Sequence, residues 1–392
     1  MHGGAARIAM IGTRGVPARY GGFETAVEEV GRRLADRGHS VVVYCRNEGQ
    51  AARDHLGMQL VNLPALRLKQ TETLSHTAVS VAHLAVNPCD VAILFNAANA
   101  PLLPALRLRG IPVAVHVDGI EWKRSKWSGA GQRYYQWAER IAVRRADRLI
   151  ADARAIGDYY RERYGADPTF IPYGACIYED RAHDRLTALG LEPGGYHLVV
   201  ARMEPENNAH LIVEGYVRSA AGLPLVVVGD APHAASYGAT VRSLAGSRDV
   251  RFVGSVWDQT LLDQLYANAF LYLHGHSVGG TNPSLLRAMG TGAPVAAYDV
   301  VFNREVLGDT GMYFADSREL EALIDEAEAD RDASAARGLA GQRRVAANYD
   351  WDRVTDQYES LCRELIGGVQ ETRSSPPDPP SARPLTGSAR DR

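Results

Sequence analysis

The chain alternates short apolar runs, rich in β-branched residues, with longer segments in which apolar residues recur every three or four positions. The first pattern is typical of buried strands and the second of amphipathic helices. In residues 24–37, for example, Val27, Val30 and Leu34 form one apolar face, and Gly38 ends the helix. This alternation predicts parallel sheets that are covered by helices on both faces.

The alternation of strand and helix patterns occurs in two successive stretches of the chain, which are separated by the Gly/Pro-rich segment 190–195. Before that segment, the predicted strands are residues 7–11, 41–45, 91–95, 113–117 and 148–150, and the predicted helices are 24–37, 73–86 and 132–145. After it, the predicted strands are 198–200, 225–228, 270–273 and 295–298, and the predicted helices are 208–220, 260–267 and 283–289.

We therefore predict an α/β fold of two tandem Rossmann-like, doubly wound domains, residues 1–188 and 189–349. Ligands of such domains bind at the carboxyl ends of the strands, here in the cleft between the two units. Residues 350–368 are expected to form a last helix that crosses back onto the first domain. Residues 369–392 are rich in Ser, Pro and Arg and are expected to form a disordered tail.

Composition narrows the class of protein. A length of 392 residues suits two domains of about 150–200 residues each. The net charge of −3 gives no reason to expect a nucleic acid as partner. The four cysteines form no Cys-x-x-Cys pair, which favours a reducing, cytoplasmic compartment. We find no secretory signal and no apolar run of about 18–20 residues, so contact with a membrane is expected to be peripheral.

The first candidate site follows the first predicted strand, where Gly12 and Gly15 precede a second pair of glycines, Gly21 and Gly22. Glycine lets the backbone approach a ligand, and the helix beginning near Glu24 favours anions at its N-terminus. The spacing is not Gly-x-Gly-x-x-Gly and no acidic residue ends the second strand, so a nicotinamide cofactor is disfavoured. A tight turn without a ligand is the alternative interpretation.

Polar residues also cluster at the end of the predicted strand 113–117. His116, Asp118 and Glu121 lie where α/β enzymes place polar chemistry. Asp118 and Glu121 are candidates for binding sugar hydroxyl groups. A lone histidine such as His116 is more often structural, and a solvated loop is the alternative for the whole cluster.

Two further motifs lie in the second domain. Arg202 ends a strand in Ala-Arg-Met-Glu-Pro-Glu-Asn-Asn, where it can clamp a diphosphate, and a surface arginine beside a capping asparagine is the alternative. Residues 274–286 read His-Gly-His-Ser-Val-Gly-Gly-Thr-Asn-Pro-Ser-Leu-Leu, a Gly-rich turn before a helix with proline at its start. We predict that unpaired amides of residues 281–285 form an anion cradle at the positive end of that helix.

With these motifs the chain resembles family 4 of the retaining glycosyltransferases, which have the two-domain GT-B fold. Over residues 6–365 it resembles a bacterial subgroup of capsular and exopolysaccharide rhamnosyltransferase-like enzymes. The resemblance implies transfer of a sugar from a dTDP-, UDP- or GDP-sugar to a glycan or lipid-linked sugar in cell-surface polysaccharide biosynthesis. It implies neither cofactor nor metal, because arginine and helix amides stabilise the leaving diphosphate.

The residues and the resemblance together predict individual roles. The predicted catalytic or substrate-contacting residues are Asp118, His116 and Glu121. The predicted donor-binding residues are Gly12, Gly15, Arg202, Asn207, Gly279, Gly280, Thr281, Asn282, Ser284, Leu285 and Arg287. The predicted acceptor-binding residues are Arg14, Tyr20, Gly21, Gly22, Glu24, Trp122 and Lys123.

One position departs from the family pattern. Many relatives carry Glu-x7-Glu across the Gly-rich turn, and the two positions are Gly279 and Arg287 here. The second Glu is expected to bind the donor ribose, whereas an arginine cannot accept a hydrogen bond. Either the donor is bound differently, for instance with Arg287 on a phosphate, or transfer is weak or lost. We favour retained activity.

Residues 122–127 interleave tryptophan with lysine and arginine, and four more arginines follow at positions 140, 144, 145 and 148. This mixture suits a lipid headgroup interface. Enzymes of the subgroup act on undecaprenyl-diphosphate-linked sugars, so we predict peripheral docking on the inner leaflet. An ordinary solvated cationic face is the alternative.

Two other functions stay open. One is a related two-domain enzyme, a sugar-nucleotide epimerase or a phosphorylase. An epimerase needs further carboxylates in the cleft, which the motifs do not supply, and a phosphorylase carries a Lys-bound pyridoxal cofactor with its own absorbance. The other is a degenerate sugar-nucleotide-binding partner without transferase activity, which Arg287 motivates.

Overall fold

The structure is a computed structural model, and it describes residues 4–18, 21–46, 52–66, 71–117, 119–124, 127, 129–179, 181–230 and 235–374. Two positions of the predicted site, Tyr20 and Asp118, lie outside the described residues.

The first domain is built on one sheet, which has eight strands within the described ranges. They are β1 (Arg7–Ile11), β2 (Ser40–Arg46), β3 (Asp54–His55), β4 (Met58–Leu63), β5 (Val91–Phe95), β6 (Val113–Val117), β7 (Arg148–Ala151) and β8 (Thr169–Phe170). Their order is β3-β4-β2-β1-β5-β6-β7-β8, and every neighbouring pair is parallel except β3 and β4. The helices are α1 (Gly22–Asp36), α2 (Glu72–Val86), α3 (Leu103–Leu108), α4 (Ala130–Arg145) and α5 (Arg154–Tyr164).

Both faces of this sheet are covered, as the near-continuous apolar runs predict. Ile8 and Met10 of β1 belong to one hydrophobic core, and Ala9 and Ile11 belong to a second core on the opposite face. Side chains alternate between the faces of a strand, so a central strand must be apolar at every position when both faces are buried.

The second domain repeats this plan around a six-stranded parallel sheet in the described part of the chain. The strands are β9 (His197–Val200), β10 (Leu225–Val228), β11 (Val250–Gly254), β12 (Leu271–His274), β13 (Val295–Tyr298) and β14 (Met312–Phe314), in the order β11-β10-β9-β12-β13-β14. The helices are α6 (Ala209–Arg218), α7 (Ala235–Leu244), α8 (Gln259–Ala267), α9 (Pro283–Gly290), α10 (Val301–Leu307), α11 (Ser317–Ala329) and α12 (Arg331–Asn348). Short 3₁₀ helices occur at Ala97–Leu102, Glu121–Lys123, Leu186–Leu189, Pro205–Asn207 and Gly308–Thr310.

The last helix, α13 (Trp351–Ser374), returns to the first domain and packs on α1. Asp352 accepts from Arg33 at 2.8 Å, and Glu359 accepts from Arg37 at 2.7 Å. The helix ends at Ser374, six residues beyond the predicted end at position 368, so the predicted tail does not begin at 369. Among the described helices, none is long and apolar enough to cross a membrane.

This architecture confirms the predicted α/β fold of two Rossmann-like domains. It also explains the positions of three predicted motifs. In each sheet one strand is a switch point: β2 and β5 lie on opposite sides of β1, and β10 and β12 lie on opposite sides of β9. Loops after such strands flank the crevice in which doubly wound domains bind ligands. The loops after β1, β9 and β12 are the ones that carry Gly12, Arg202 and Gly279.

Candidate active site

The turn between β12 and α9, residues 275–282, is the centre of the candidate site and is called the donor turn below. Asn282 caps α9, since its Oδ1 accepts from the Ser284 amide at 2.9 Å and from the Ser284 hydroxyl at 2.7 Å. Asparagine at the cap followed by Pro283 at the first helical position is a strong helix start. The prediction that the Ser284 amide is unpaired is therefore wrong, because the cap already satisfies it.

The donor turn packs directly on the first domain. A Cβ added to Gly119 would lie 2.6 Å from the Cα of Gly279, and one added to Gly280 would lie 2.3 Å from a carboxylate oxygen of Asp152. The Thr281 hydroxyl donates to the Asp152 carbonyl oxygen. Gly119 lets its backbone meet that of Gly279, and Gly280 leaves room for the Asp152 carboxylate.

The loop after β9 is hydrogen-bonded to the start of the donor turn. Ser277 donates its amide to the carbonyl oxygen of Glu206 at 2.9 Å, and Asn208 donates its side-chain amide to the Gly275 carbonyl oxygen at 2.9 Å. Asn207 is buried and donates to the Arg202 carbonyl oxygen at 2.8 Å. Hydrogen bonds thus join two motifs that are far apart in the sequence, and the Asn207 side chain stabilises the loop that makes this contact.

The positive charges of two arginines from opposite domains act on the same histidine of the donor turn. Burial, and then the positive charges of Arg202 and Arg124, lower the pKa of His276 to about 3. The His276 ring stacks on His274, with centroids 4.5 Å apart. Arg202 also lies 3.4 Å from the carboxylate of Glu204. The arrangement places two guanidinium groups, each beside a carboxylate, at the interdomain face of the turn, and guanidinium groups are suited to bind a diphosphate.

Arg124 is held by Glu121, one of the predicted catalytic residues. The guanidinium Nε of Arg124 donates to Glu121 Oε1 at 2.8 Å, and the Trp127 indole donates to Glu121 Oε2 at 3.3 Å. Glu121 is 7% exposed. Its carboxylate orients a cation, a role that sequence reasoning did not assign, and Arg124 itself was absent from the predicted site.

His116 is fully buried among aromatic rings. Its ring stacks on Phe95 and Tyr173, with centroids 5.5 and 5.8 Å away, and Phe23 packs edge-on at 5.2 Å. Neither ring nitrogen has a hydrogen-bond partner among the described residues. Burial lowers the pKa of His116 to about 3, so this histidine is neutral at pH 7.

The loop after β1 is shaped by close approach to neighbouring strands. A Cβ on Gly12, which has φ of +95°, would lie 2.4 Å from the Phe95 carbonyl oxygen, and one on Gly15 would lie 2.4 Å from Cys45 Sγ. Glu24 accepts from the Arg14 amide at 3.1 Å, and burial raises the pKa of its carboxyl group. Packing by itself requires both glycines, whatever ligand the loop contacts.

The remaining predicted acceptor residues divide between the cleft and the surface. Gly22 lies at the cleft, where an added Cβ would be 2.9 Å from Pro283 Cγ. Gly21 and Lys123 are exposed. Trp122 is half-buried and donates its indole N–H to the Tyr159 hydroxyl at 3.1 Å.

Arg287 points away from the donor turn. Its Nε donates to Asp263 of α8 at 2.8 Å, and its other nitrogens donate to the Gln259 side chain and carbonyl oxygen at 3.0 and 3.2 Å. The guanidinium also lies over the Tyr266 ring, 5.6 Å from its centroid. Leu285 is fully buried in the core beneath the same helix. Reaching a phosphate would require Arg287 to give up all of these contacts.

We expect the substitution Arg287→Glu to lower the free energy of unfolding by about 2 kcal/mol, since two carboxylates would then face each other in a half-buried site. The charge-reversed pair Asp263→Arg/Arg287→Glu should recover more than half of that loss. Urea unfolding followed by circular dichroism measures both. Arg218→Glu is the control, because its partner Glu321 is more exposed and the expected loss is under about 1 kcal/mol. An unchanged midpoint for Arg287→Glu would contradict this prediction.

Two acidic residues near the cleft were missed. Asp152 follows β7 and is 1% exposed, and its carboxylate packs on Gly280. Glu305 of α10 accepts from the Arg154 amide at 2.9 and 3.0 Å, which joins the second domain to the first turn of α5. The rule that drew attention to the end of β6, polar residues at the carboxyl end of a parallel strand, also applies to Asp152. No group of three or more potential metal ligands occurs among the described residues.

Two known protein families match separate stretches of the chain. A family described as Glycosyl transferases group 1 matches residues 195–330, and one described as Domain of unknown function (DUF1972) matches residues 5–176. The chain is 28% identical to O-antigen chain mannosyltransferase B of Escherichia coli over 177 residues. That match covers 42% of this chain and 44% of the relative, so it spans less than half of either.

Solved structures share the fold over nearly the whole chain. Sucrose-phosphate synthase from Thermosynechococcus elongatus has a TM-score of 0.78 at 20% identity, covering 93% of this chain and 100% of that structure. Anabaena HepE in complex with UDP-glucose has a TM-score of 0.73 at 17% identity, also covering 93% of this chain and 100% of that structure. These structural matches confirm the predicted fold, and the family match over residues 195–330 supports the predicted glycosyltransferase class. Residues 195–330 thus match the family Glycosyl transferases group 1, within a chain that shares the two-domain fold of these solved structures.

Proposed function

We propose that the chain transfers a sugar from a nucleotide sugar to a glycan or lipid-linked sugar, with retention of anomeric configuration, in the biosynthesis of a cell-surface polysaccharide. The observation that carries this proposal is the position of Arg124 and Arg202 on loops of opposite domains, where the charges of both act on His276 of the donor turn. Two guanidinium groups provide the charge and the forked hydrogen-bond donors that a diphosphate requires. Closing the domains on a donor would complete that pair.

The chemistry follows from that charge. When the bond between the anomeric carbon and the diphosphate breaks, negative charge grows on the phosphate oxygens. Arg124, Arg202 and the N-terminus of α9 would stabilise that charge. The departing diphosphate then takes the proton of the acceptor hydroxyl, which attacks from the same face and gives retention. In this scheme the chain's own arginines supply the positive charge that stabilises the leaving diphosphate, with neither a metal nor a cofactor.

We also propose which class of donor the chain uses and where in the cell it acts. HepE, which shares the fold, is described with bound UDP-glucose, and the E. coli relative is named as a mannosyltransferase of an O-antigen chain. Together with the motifs of the rhamnosyltransferase-like subgroup of family 4, these support a nucleotide-linked hexose or 6-deoxyhexose, with dTDP-rhamnose as the first to test. We place the chain at the cytoplasmic face of the membrane, where a lipid-linked acceptor would be reached.

A second candidate is a sugar-nucleotide-binding partner that transfers nothing. The observation that favours it is Arg287, which stands where relatives have the ribose-binding Glu and is held by Asp263 at 2.5 Å. A donor site without its ribose acceptor group retains the diphosphate contacts but positions the sugar less strictly.

A panel of dTDP-, UDP- and GDP-sugars separates these candidates. We expect one of them to raise the melting temperature, because a ligand at about 100 times its dissociation constant adds about 2.7 kcal/mol to the stability of the folded state. The same donor should give product with a lipid-linked acceptor, in the presence and absence of EDTA. Stabilisation without product would favour the binding partner, and a panel without any stabilising nucleotide would contradict both.

A further inference from the structure

One face of helix α4 carries three arginines and a tryptophan. Arg133, Trp137, Arg140 and Arg144 recur at spacings of four, three and four residues and are all exposed, so they form a single stripe along the helix, called the α4 stripe below. Trp137 is 49% exposed, although tryptophan usually finds cover in a folded domain. The opposite face of α4, with Tyr135, Ala138 and Ala142, is buried against the domain.

Most of the positive charge of the stripe has no carboxylate of the described residues within ion-pair distance. Arg133, Arg140 and Arg144 form no ion pair with a carboxylate of the described residues. The one acidic residue of α4, Glu139, is buried and accepts hydrogen bonds from Tyr159 at 2.9 Å and Tyr164 at 2.7 Å. Its carboxylate also interacts electrostatically with Arg140, so it offsets at most one of the three positive charges. The stripe therefore presents net positive charge on a protein whose overall charge is −3.

An exposed apolar residue extends the stripe at its far end. Leu108, the last residue of α3, is 87% exposed. The neighbouring Arg107 donates to the Arg145 carbonyl oxygen at 2.8 Å, which ties the end of α3 to the end of α4. Leu108 thus lies near the C-terminal end of α4, where it adds an exposed apolar side chain close to the stripe.

The predicted lipid interface at residues 122–127 has a different arrangement. The Trp122 indole turns toward Tyr159, and the Trp127 indole turns toward Glu121 and packs on Tyr135 with centroids 4.9 Å apart. Both indoles are half-buried, whereas Trp137 is exposed on the next helix. The aromatic group that is available to a partner is thus Trp137.

We propose that the α4 stripe, together with Leu108, docks the first domain on the surface of an anionic lipid bilayer. The proposal rests on the proposed lipid-linked acceptor, because a bound enzyme would then face that substrate. Guanidinium groups pair with lipid phosphates while their stems and the indole enter the headgroup region. From residue 133 to 144 the helix is about 16 Å long, so the stripe can lie along the surface.

A bilayer fits this surface better than a nucleic acid does. The exposed Trp137 and Leu108 gain free energy only where an apolar layer lies beneath the phosphates. The position also suits the site, since α4 begins at the carboxyl edge of the first sheet, immediately after the loop that holds Glu121 and Arg124. Arg133, near the start of α4, is the stripe residue closest to this edge, and Arg144 lies toward the opposite edge. Docking by α4 would therefore place the side of the first domain on the membrane, with the cleft beside that surface.

Flotation with vesicles that contain neither donor nor acceptor tests the proposal independently of transfer. The full chain should float with vesicles containing 30% phosphatidylglycerol and not with pure phosphatidylcholine, and raised salt should weaken the binding. The triple variant Arg133→Gln/Arg140→Gln/Arg144→Gln should lower the partition coefficient on the order of 100-fold. Brominated lipid should quench the wild-type fluorescence more than that of Trp137→Phe.

The matched control replaces three exposed arginines of the second domain, Arg318→Gln/Arg337→Gln/Arg343→Gln, which changes the net charge equally. This control should float as the wild type does. The proposal is overturned if the two triple variants bind alike, if the wild type does not float, or if the stripe instead binds a short DNA duplex. Transfer to a water-soluble acceptor without flotation would overturn the docking surface and leave the proposed function intact, and flotation without transfer would do the reverse.

Discussion

Replacing Arg202 by alanine is expected to lower kcat on the order of 10²–10³-fold, which is the usual loss when one group that stabilises transition-state charge is removed. Arg202 follows β9 and its charge acts on His276 of the donor turn together with that of Arg124. A leaving diphosphate develops its charge in the transition state, so the loss should appear mainly in kcat. Steady-state kinetics with the donor identified by the thermal panel measures it.

Arg202→Lys refines this prediction. Lysine keeps the charge but loses the planar fork, so we expect a smaller loss than for alanine. Arg218→Ala, which breaks an exposed ion pair with Glu321 on α11, should leave kcat unchanged. If Arg202→Ala retained more than a tenth of the wild-type kcat, the diphosphate would have to be held elsewhere.

Replacing Gly119 by alanine is expected to reduce kcat/KM by at least about 100-fold while the chain stays folded. The new methyl group would lie 2.6 Å from the Cα of Gly279, and backbone cannot move aside as a flexible side chain can. The donor turn would be pushed away from the first domain, and a misplacement of about 1 Å costs roughly 100-fold in rate. Gly119 does not have a positive φ, so alanine fits its own backbone conformation.

The stability of Gly119→Ala distinguishes a blocked cleft from a misfolded chain. Its melting temperature without ligand should stay close to that of the wild type, whereas stabilisation by the donor should shrink. Gly367→Ala is the control, because nothing lies within 4 Å of its added Cβ. Full activity in Gly119→Ala would show that the two domains do not need this contact during turnover.

Much of the fold followed from local pattern. The bounds of β1, β5 and β6 agree with the prediction, because a strand buried on both faces is apolar at every position. The start of α9 was also predicted, since the Asn282-Pro283 pair acts through its own neighbouring amides. The short β3 and β8, with two residues each, were not predicted, because a period of two needs more positions to be visible.

The candidate site was predicted in part. Residues of the loops after β1, β6, β9 and β12 lie at the cleft edge, because the carboxyl ends of parallel strands meet there. Arg124 was missed as a site residue, since its role depends on a charge shared with Arg202 across the cleft. Asp152 was missed although it follows a strand, because its partner in the donor turn is 129 residues away in the sequence.

The sequence by itself determined the two-domain α/β plan, the loops that carry the site and the class of enzyme that those loops resemble. Only the tertiary structure decided that Arg287 pairs with Asp263, that Trp122 and Trp127 turn inward while Trp137 is exposed, and that Gly119 meets Gly279. The physical reason is common to all three. Periodicity reports which positions face the interior, whereas the partner of a polar or aromatic side chain depends on which distant segment the fold brings beside it.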